Sequence, residues 1–214
     1  MERIFANLYR CSAPNRRGTS HTYLLVRKEG NLLIGHQTAP QPEDFDEIEK
    51  LGGIHSQWIC HHHDTIRNGV HEALHARFGC ELHHHRIERK GVRPKTKCPA
   101  VQFGDEGFQL GDDFEAFYFP SCTVGQSIYR WRCRGKYYLF TSHAIYLRDD
   151  KWEIQFRSQA EPDQQRRFAK LPKLQLDYVF PGYTALEEEA FYRFSDTTRK
   201  AFARALRASV KKAA

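Results

Sequence analysis

Histidine is the residue type in this chain whose number and spacing could do chemistry. There are 12 in 214 residues, and nine of them lie between residues 55 and 85. His61 and His63 alternate by two, so in an extended segment at a strand end both imidazoles can point the same way. Neutral imidazoles at that spacing are good ligands for zinc or another borderline metal. A His-x-His pair taken alone equally describes a polar loop, and a second triplet at His83–His85 shows that not every histidine is a ligand. His71 and His75 stand four residues apart, opposite Val70 and Leu74 on a helix, and are expected to be solvated. His84 and His85 follow the strand after that helix and are expected behind the cleft or at the surface.

The elements that must position these residues are short. Thr22–Val26 and Asn31–Ile34 read as two strands turned at Lys28-Glu29-Gly30. Phe45, Ile48 and Leu51 recur at three-residue spacing and predict a helix that stops at Gly52-Gly53. The apolar run Trp58-Ile59-Cys60 predicts a buried strand that runs straight into His61. Val70, Ala73, Leu74, Arg77 and Phe78 share one helical face ended by Gly79, and Cys80–His84 returns as strand. Short β-like runs then dominate residues 99–147, including Phe114–Phe119, Ser127–Cys133 and Tyr137–Thr141. Helix is expected at Asp163–Lys170, strand at Tyr178–Phe180, and helix again from Ser195, with Phe202, Leu206 and Val210 at four-residue intervals. The order describes a mixed α/β chain.

Composition narrows the class. Fifteen Phe, ten Tyr and three Trp supply a sizeable core, which excludes global disorder. No stretch approaches the roughly 18 to 20 consecutive apolar residues of a membrane span, so no membrane partner is expected. The opening Met1–Phe5 lacks the basic and then apolar pattern of a secretion signal, and the six cysteines form no C-x-x-C pair. Reduced thiols in a cytoplasmic protein are the expectation. The net charge of +7 could attract nucleic acid or anionic metabolites, but it is spread over the whole sequence and equally describes an ordinary basic surface.

From Ser20 to the region of Gly182 the chain resembles the metallo-β-lactamase superfamily. Ser20–Leu25 and Asn31–Gly35 look like that family's first strands, and Trp58–Ile66 falls where the family carries His-x-His-x-Asp-His. Pro120–Ser127 resembles its Gly-His-Thr-Pro-Gly-Ser segment, Leu139–Tyr146 its Thr-Gly-Asp segment, and Asp177–Tyr183 its closing Pro-Gly-His segment. The resemblance implies a single domain over residues 1–214, an αββα sandwich of two mixed β-sheets flanked by helices.

Against the family's pattern, His61 and His63 are kept. Thr65 and Ile66 stand where the motif has Asp and His, Cys122 where it has His, His143 where it has the bridging Asp, and Tyr183 where it has the last His. A second metal is left almost without ligands, so a two-metal mechanism is not expected. The first site keeps ligand types: His61, His63 and Cys122, with His143 nearby as a fourth, suit one tetrahedral zinc, or iron. If all four bind, the site is closed and structural; if His143 stays free, a water takes the open position and His143 acts as its acid or base. With no metal, Cys122 is a small buried hydrophobe and His143 a hydrogen-bonded histidine. Asp64, one place before the usual catalytic carboxylate, helps catalysis only if the register is shifted. Tyr183 either lines the cleft as an oxyanion donor or is a structural tyrosine.

Three functions follow. The leading one is a hydrolase with at most one metal, cleaving an ester, thioester, amide or phosphate bond in an unidentified small molecule. The second is a catalytically inactive binding or structural relative, for which the three replaced second-site ligands argue. The third, a nucleic-acid-binding or nuclease-like protein, rests on the charge and the basic C-terminal helix.

Overall fold

The computed structural model describes the chain apart from residues 16–17, 36–37, 39, 67–68, 149–150, 156–169, 185–188, 190 and 214. The helix expected at Asp163–Lys170 therefore lies outside the described residues, save for Lys170.

Two large sheets face each other. The first begins as an antiparallel meander of β1 (Glu2–Phe5), β2 (Leu8–Asn15), β3 (Gly18–Leu25) and β4 (Leu32–Gly35). It continues in parallel through β5 (Ser56–Ile59), β6 (Glu81–His85) and β7 (Ala100–Phe103). Parallel pairing needs crossovers, and all three carry helix: α1 (Pro42–Lys50) precedes β5, α2 (Val70–Phe78) precedes β6, and the short α3 (Arg89–Val92) precedes β7. Burial on both faces explains why β4 and β5 read as continuous runs rather than alternating ones.

The second sheet runs β8 (Phe108–Leu110), β9 (Phe114–Tyr118), β10 (Ser127–Cys133) and β11 (Lys136–Ser142), then β14 (Tyr178–Pro181) and β16 (Tyr192–Arg193). A hairpin of β12 (Ile145–Arg148) and β13 (Lys151–Ile154) follows β11, and β15 (Tyr183–Thr184) crosses back to pair with β3 in the first sheet. Strand alternation sorts the side chains into layers. Tyr23, Leu25, Ile34 and Trp58 meet Tyr129, Trp131, Phe140 and Phe180 between the sheets. On the outer face of the first sheet Leu24 and Leu33 pack on Ile48 and Leu74 of the helices. On the outer face of the second, Leu139 and Val179 pack on Phe202 and Leu206 of α4 (Asp196–Ala213). Helix, sheet, sheet, helix: this is the αββα sandwich implied by the resemblance. Among the described residues, no helix is long and apolar enough to cross a membrane.

One histidine expectation is corrected. His71 is buried beside Leu74 on α2, whereas Ala73 and Arg77 are exposed. Its Nδ1 pairs with Gln57 Oε1 at 2.7 Å and its Nε2 accepts the Ile66 amide at 3.0 Å, so two hydrogen bonds offset its desolvation. His83, His84 and His85 are also buried, which for His84 and His85 excludes the surface alternative and keeps the interior one. His83 stacks on Trp58 with ring centroids 4.2 Å apart, and His85 on Tyr118 at 4.4 Å.

Candidate metal centre

The C-terminal ends of β5, β11 and β14 open onto one edge of the sandwich. Backbone bonds tie that edge together: Ser127 N donates to Cys60 O at 2.8 Å, and Gly182 N to Ser142 O at 3.1 Å. After β5 the chain makes a 3-10 turn, His62–Asp64, with His61 extended just before it. The loop between β9 and β10 carries Cys122, whose amide donates to the buried Gln126 Oε1 at 2.8 Å.

This arrangement converges His61, His63 and Cys122. One donor atom from each lies within 4.8 Å of the others. Cys122 Sγ is 3.7 Å from His63 Nδ1. Sulfur and nitrogen ligands on a tetrahedral zinc stand about 3.6 Å apart, from bond lengths of roughly 2.3 and 2.0 Å. The Cys122–His63 pair therefore has the spacing, and the three residues the donor types, that a metal ion such as zinc would take.

His61 is fully buried, and His63 is exposed at the mouth. Asp64 is buried behind His61, with Oδ2 3.0 Å from His61 Nδ1. Oδ2 also accepts the Cys60 amide at 3.2 Å, and Oδ1 accepts the Ser142 hydroxyl at 3.1 Å. At that distance the carboxylate favours a proton on the facing Nδ1, the orientation in which Nε2 would be the metal-binding nitrogen, as in carboxylate–histidine–zinc arrangements. Burial pulls the His61 pKa down, but the Asp64 carboxylate and Cys122 outweigh it and raise the value to about 10. For His63, burial and the neighbouring His61 and His62 charges lower it.

His143 stands beside this trio rather than within it. Its half-buried ring lies 5.4 Å from that of His61 and 6.3 Å from that of Tyr183, centroid to centroid. Tyr183 turns its hydroxyl against Gly18, where a side chain on that glycine would collide with it. Thr65 and Ile66 are buried. Asp64 is placed as the support of His61 rather than as a carboxylate at the mouth.

Several contributors were not visible in the sequence. Ser142 is one of two non-glycine residues among those described with positive φ, at 50°, and this strained turn aims its hydroxyl at Asp64. Glu88, in the 3-10 turn Arg86–Glu88 that leads into α3 (Arg89–Val92), is buried and bonded to both the His62 turn and the Cys122 loop. Burial raises its pKa, but hydrogen bonds from Thr123 and His62 lower it further, and it stays ionised.

No family model matches the chain, and no curated protein matches it. Solved structures do. DIM-1 metallo-β-lactamase superposes with a TM-score of 0.67 at 14% identity, covering 97% of this chain and 96% of that one. The metallo-β-lactamase from Pontibacter korlensis gives 0.66 at 14% identity over 96% and 97%. A B3 metallo-β-lactamase with an active-site glutamic acid gives 0.59 at 20% identity over 99% and 89%. At these identities the likeness is one of fold.

Proposed function

From the metallo-β-lactamase fold and a site reduced to one set of metal donors, we propose that this chain is a hydrolase with a single metal, zinc in first place. The observation that carries this reading is the convergence of His61, His63 and Cys122 within 4.8 Å. Three protein donors leave a fourth tetrahedral position open, the pattern of catalytic rather than structural zinc. One zinc held there would supply Lewis acidity toward a carbonyl or phosphoryl oxygen and acidify water at neutral pH.

The chain's own residues divide the remaining work. Asp64 keeps the His61 proton on Nδ1. His63, at the mouth, keeps its ring neutral near pH 7 and available as a ligand, consistent with its lowered pKa. His143, half-buried beside the donor trio, would be the group that carries a proton on a ring nitrogen to or from the substrate. The substrate class is an ester, thioester, amide or phosphate. The six thiols, none in a disulfide, suit a reducing compartment, which we take to be the cytoplasm.

Elemental analysis of protein purified without a metal-affinity step tests the reading. One equivalent of zinc per chain is expected, falling sharply in His61→Ala and Cys122→Ala. Absence of stoichiometric metal, with Cys122→Ala indistinguishable from wild type, refutes it. Zinc bound without turnover on any of the four bond classes would favour an inactive, metal-binding relative.

A further inference from the structure

We propose that Glu88 is the positioning residue of the metal centre, a buried carboxylate that holds the His61–His63 turn in register with the Cys122 loop. The proposal rests on the metal reading above and extends it to a residue that touches no donor atom.

The geometry divides the carboxylate cleanly. Oε2 takes both donors of His62, the backbone amide at 2.7 Å and ring Nδ1 at 2.5 Å. Oε1 takes both donors of the other loop, the Thr123 hydroxyl at 2.7 Å and the Gly125 amide at 2.9 Å. His62 lies between the two histidine donors in sequence, and Thr123 follows Cys122 directly. Each oxygen therefore anchors one of the two segments that must meet on a metal. Lys95 Nζ adds a bond to the His62 carbonyl from the far side.

Two glycines make this approach sterically open. A Cβ on Gly125 would sit 2.6 Å from Glu88 Oε1, and one on Gly91 would fall against the His62 ring. Neither position carries a positive φ, so space rather than backbone conformation is what glycine provides there. Zinc tolerates donor misplacements of only about 0.2 Å, so two loops joined through one carboxylate are a means of keeping three donors at bonding distance.

Glu88→Gln is the test because it keeps the shape. A glutamine has one acceptor oxygen and must turn its NH2 group toward two donors of one loop, so it releases that loop. In the full chain, we would measure zinc affinity by competition with a chromophoric chelator, and the Cys122 thiolate band of the cobalt-substituted protein. Amide hydrogen exchange across residues 61–65 and 121–126 would be followed in metal-free protein. Glu88→Gln is expected to weaken zinc about 10- to 100-fold, the usual effect of losing an outer-shell partner. The cobalt band should weaken or shift, and exchange should accelerate in one or both loops, while far-UV circular dichroism is unchanged. If Glu88→Gln does not fold, Thr123→Val removes a single bond to Oε1 and is expected to lose up to about tenfold in affinity.

Wild-type affinity and cobalt spectrum in a folded Glu88→Gln, or in Thr123→Val where that variant alone folds, would overturn the role of Glu88 and leave the metal reading standing. A wild-type protein that takes up no zinc ends the metal reading, and this proposal with it, whatever the exchange data show.

Discussion

Acid should destabilise this fold through two buried histidines, and the effect can be worked out. Burial lowers His71 to about 4, against an opposing pull from Glu72. Burial, with the charges of His55 and His84, lowers His83 to about 4. Both start from 6.5, so between those values the unfolded chain binds protons that the folded one refuses. Stability is therefore full above roughly pH 6.5 and lost as pH falls toward 4. At pH 5, relative to pH 8, each site contributes about 2 kcal/mol of destabilisation if it titrates independently. The pair then removes about 4 kcal/mol from a total that for a domain is about 5–15 kcal/mol. His61 has the opposite sign in the metal-free protein: its raised pKa stabilises below 6.5, and that contribution is lost between 6.5 and about 10, so it opposes the pair between pH 6.5 and 8 and is constant below 6.5, where the slope is read. Urea unfolding at pH 5, 6, 7 and 8, followed by fluorescence of Trp58 and the other tryptophans, measures the slope. His83→Phe preserves a ring against Trp58, and His71→Gln keeps hydrogen-bonding groups near Gln57. The double variant should lose a large part of the pH dependence between 5 and 7, the remainder falling to His84 and His85, which burial also lowers. If it keeps the wild-type slope, the two histidines are not the acid-sensitive groups and the reasoning fails.

Other perturbations follow from the same geometry. Asp64→Asn removes the charge that fixes His61 Nδ1–H and should weaken zinc about 10- to 100-fold by chelator competition, and an unchanged affinity would show that Asp64 does not orient the ligand. At Ser142, φ 50° makes the two small replacements unequal. Ser142→Ala keeps the strain and loses the bond to Asp64, whereas Ser142→Gly relieves the strain, so alanine should be the less stable in urea by about 1 kcal/mol. An alanine at Gly125 or Gly91 must displace Glu88 or His62 and should cost about 1–3 kcal/mol, against little change for Ala73→Ser on the exposed face of α2.

Layer architecture was legible in the sequence where one residue pattern had one physical solution. Thr22–Val26 and Asn31–Ile34 paired as expected because Gly30, at φ 101°, makes the turn toward β4. The stop of α1 at Gly52, φ 104°, was equally readable. The histidine roles were legible only in part. His61 and His63 lie near each other, as alternation by two suggests, and near Cys122, which only the resemblance had brought in. His71 was misassigned because helical periodicity treats histidine as polar, whereas Gln57 on β5 and the Ile66 amide supply both of its partners from outside the helix. No pattern along the chain can show a partner 14 residues away across a sheet-helix interface. Glu88 is the stronger case, because its four bonds come from segments 26 to 37 residues distant.

The same distinction explains why the site holds one set of metal donors. A carboxylate at position 64 rather than 65 falls on the inner side of the 3-10 turn, where Ser142 and the Cys60 amide bind it behind His61. It therefore acts on a ligand and not as one. The next residues are committed to the interior: the Ile66 amide is bonded to His71, and its side chain reaches the neighbourhood of Gly35 beneath the edge. Placing a second set of donors at Thr65 and Ile66 would bury a carboxylate and an imidazole in place of a buried threonine and isoleucine, at a cost of several kcal/mol unless a metal paid it back. Thr65→Asp with Ile66→His is accordingly expected to fold less stably without metal, and to recover only if a second zinc binds. Measuring the melting temperature with one and with two equivalents of zinc decides this. A double variant as stable as wild type without metal would mean that the interior beneath His61 was polar and open all along.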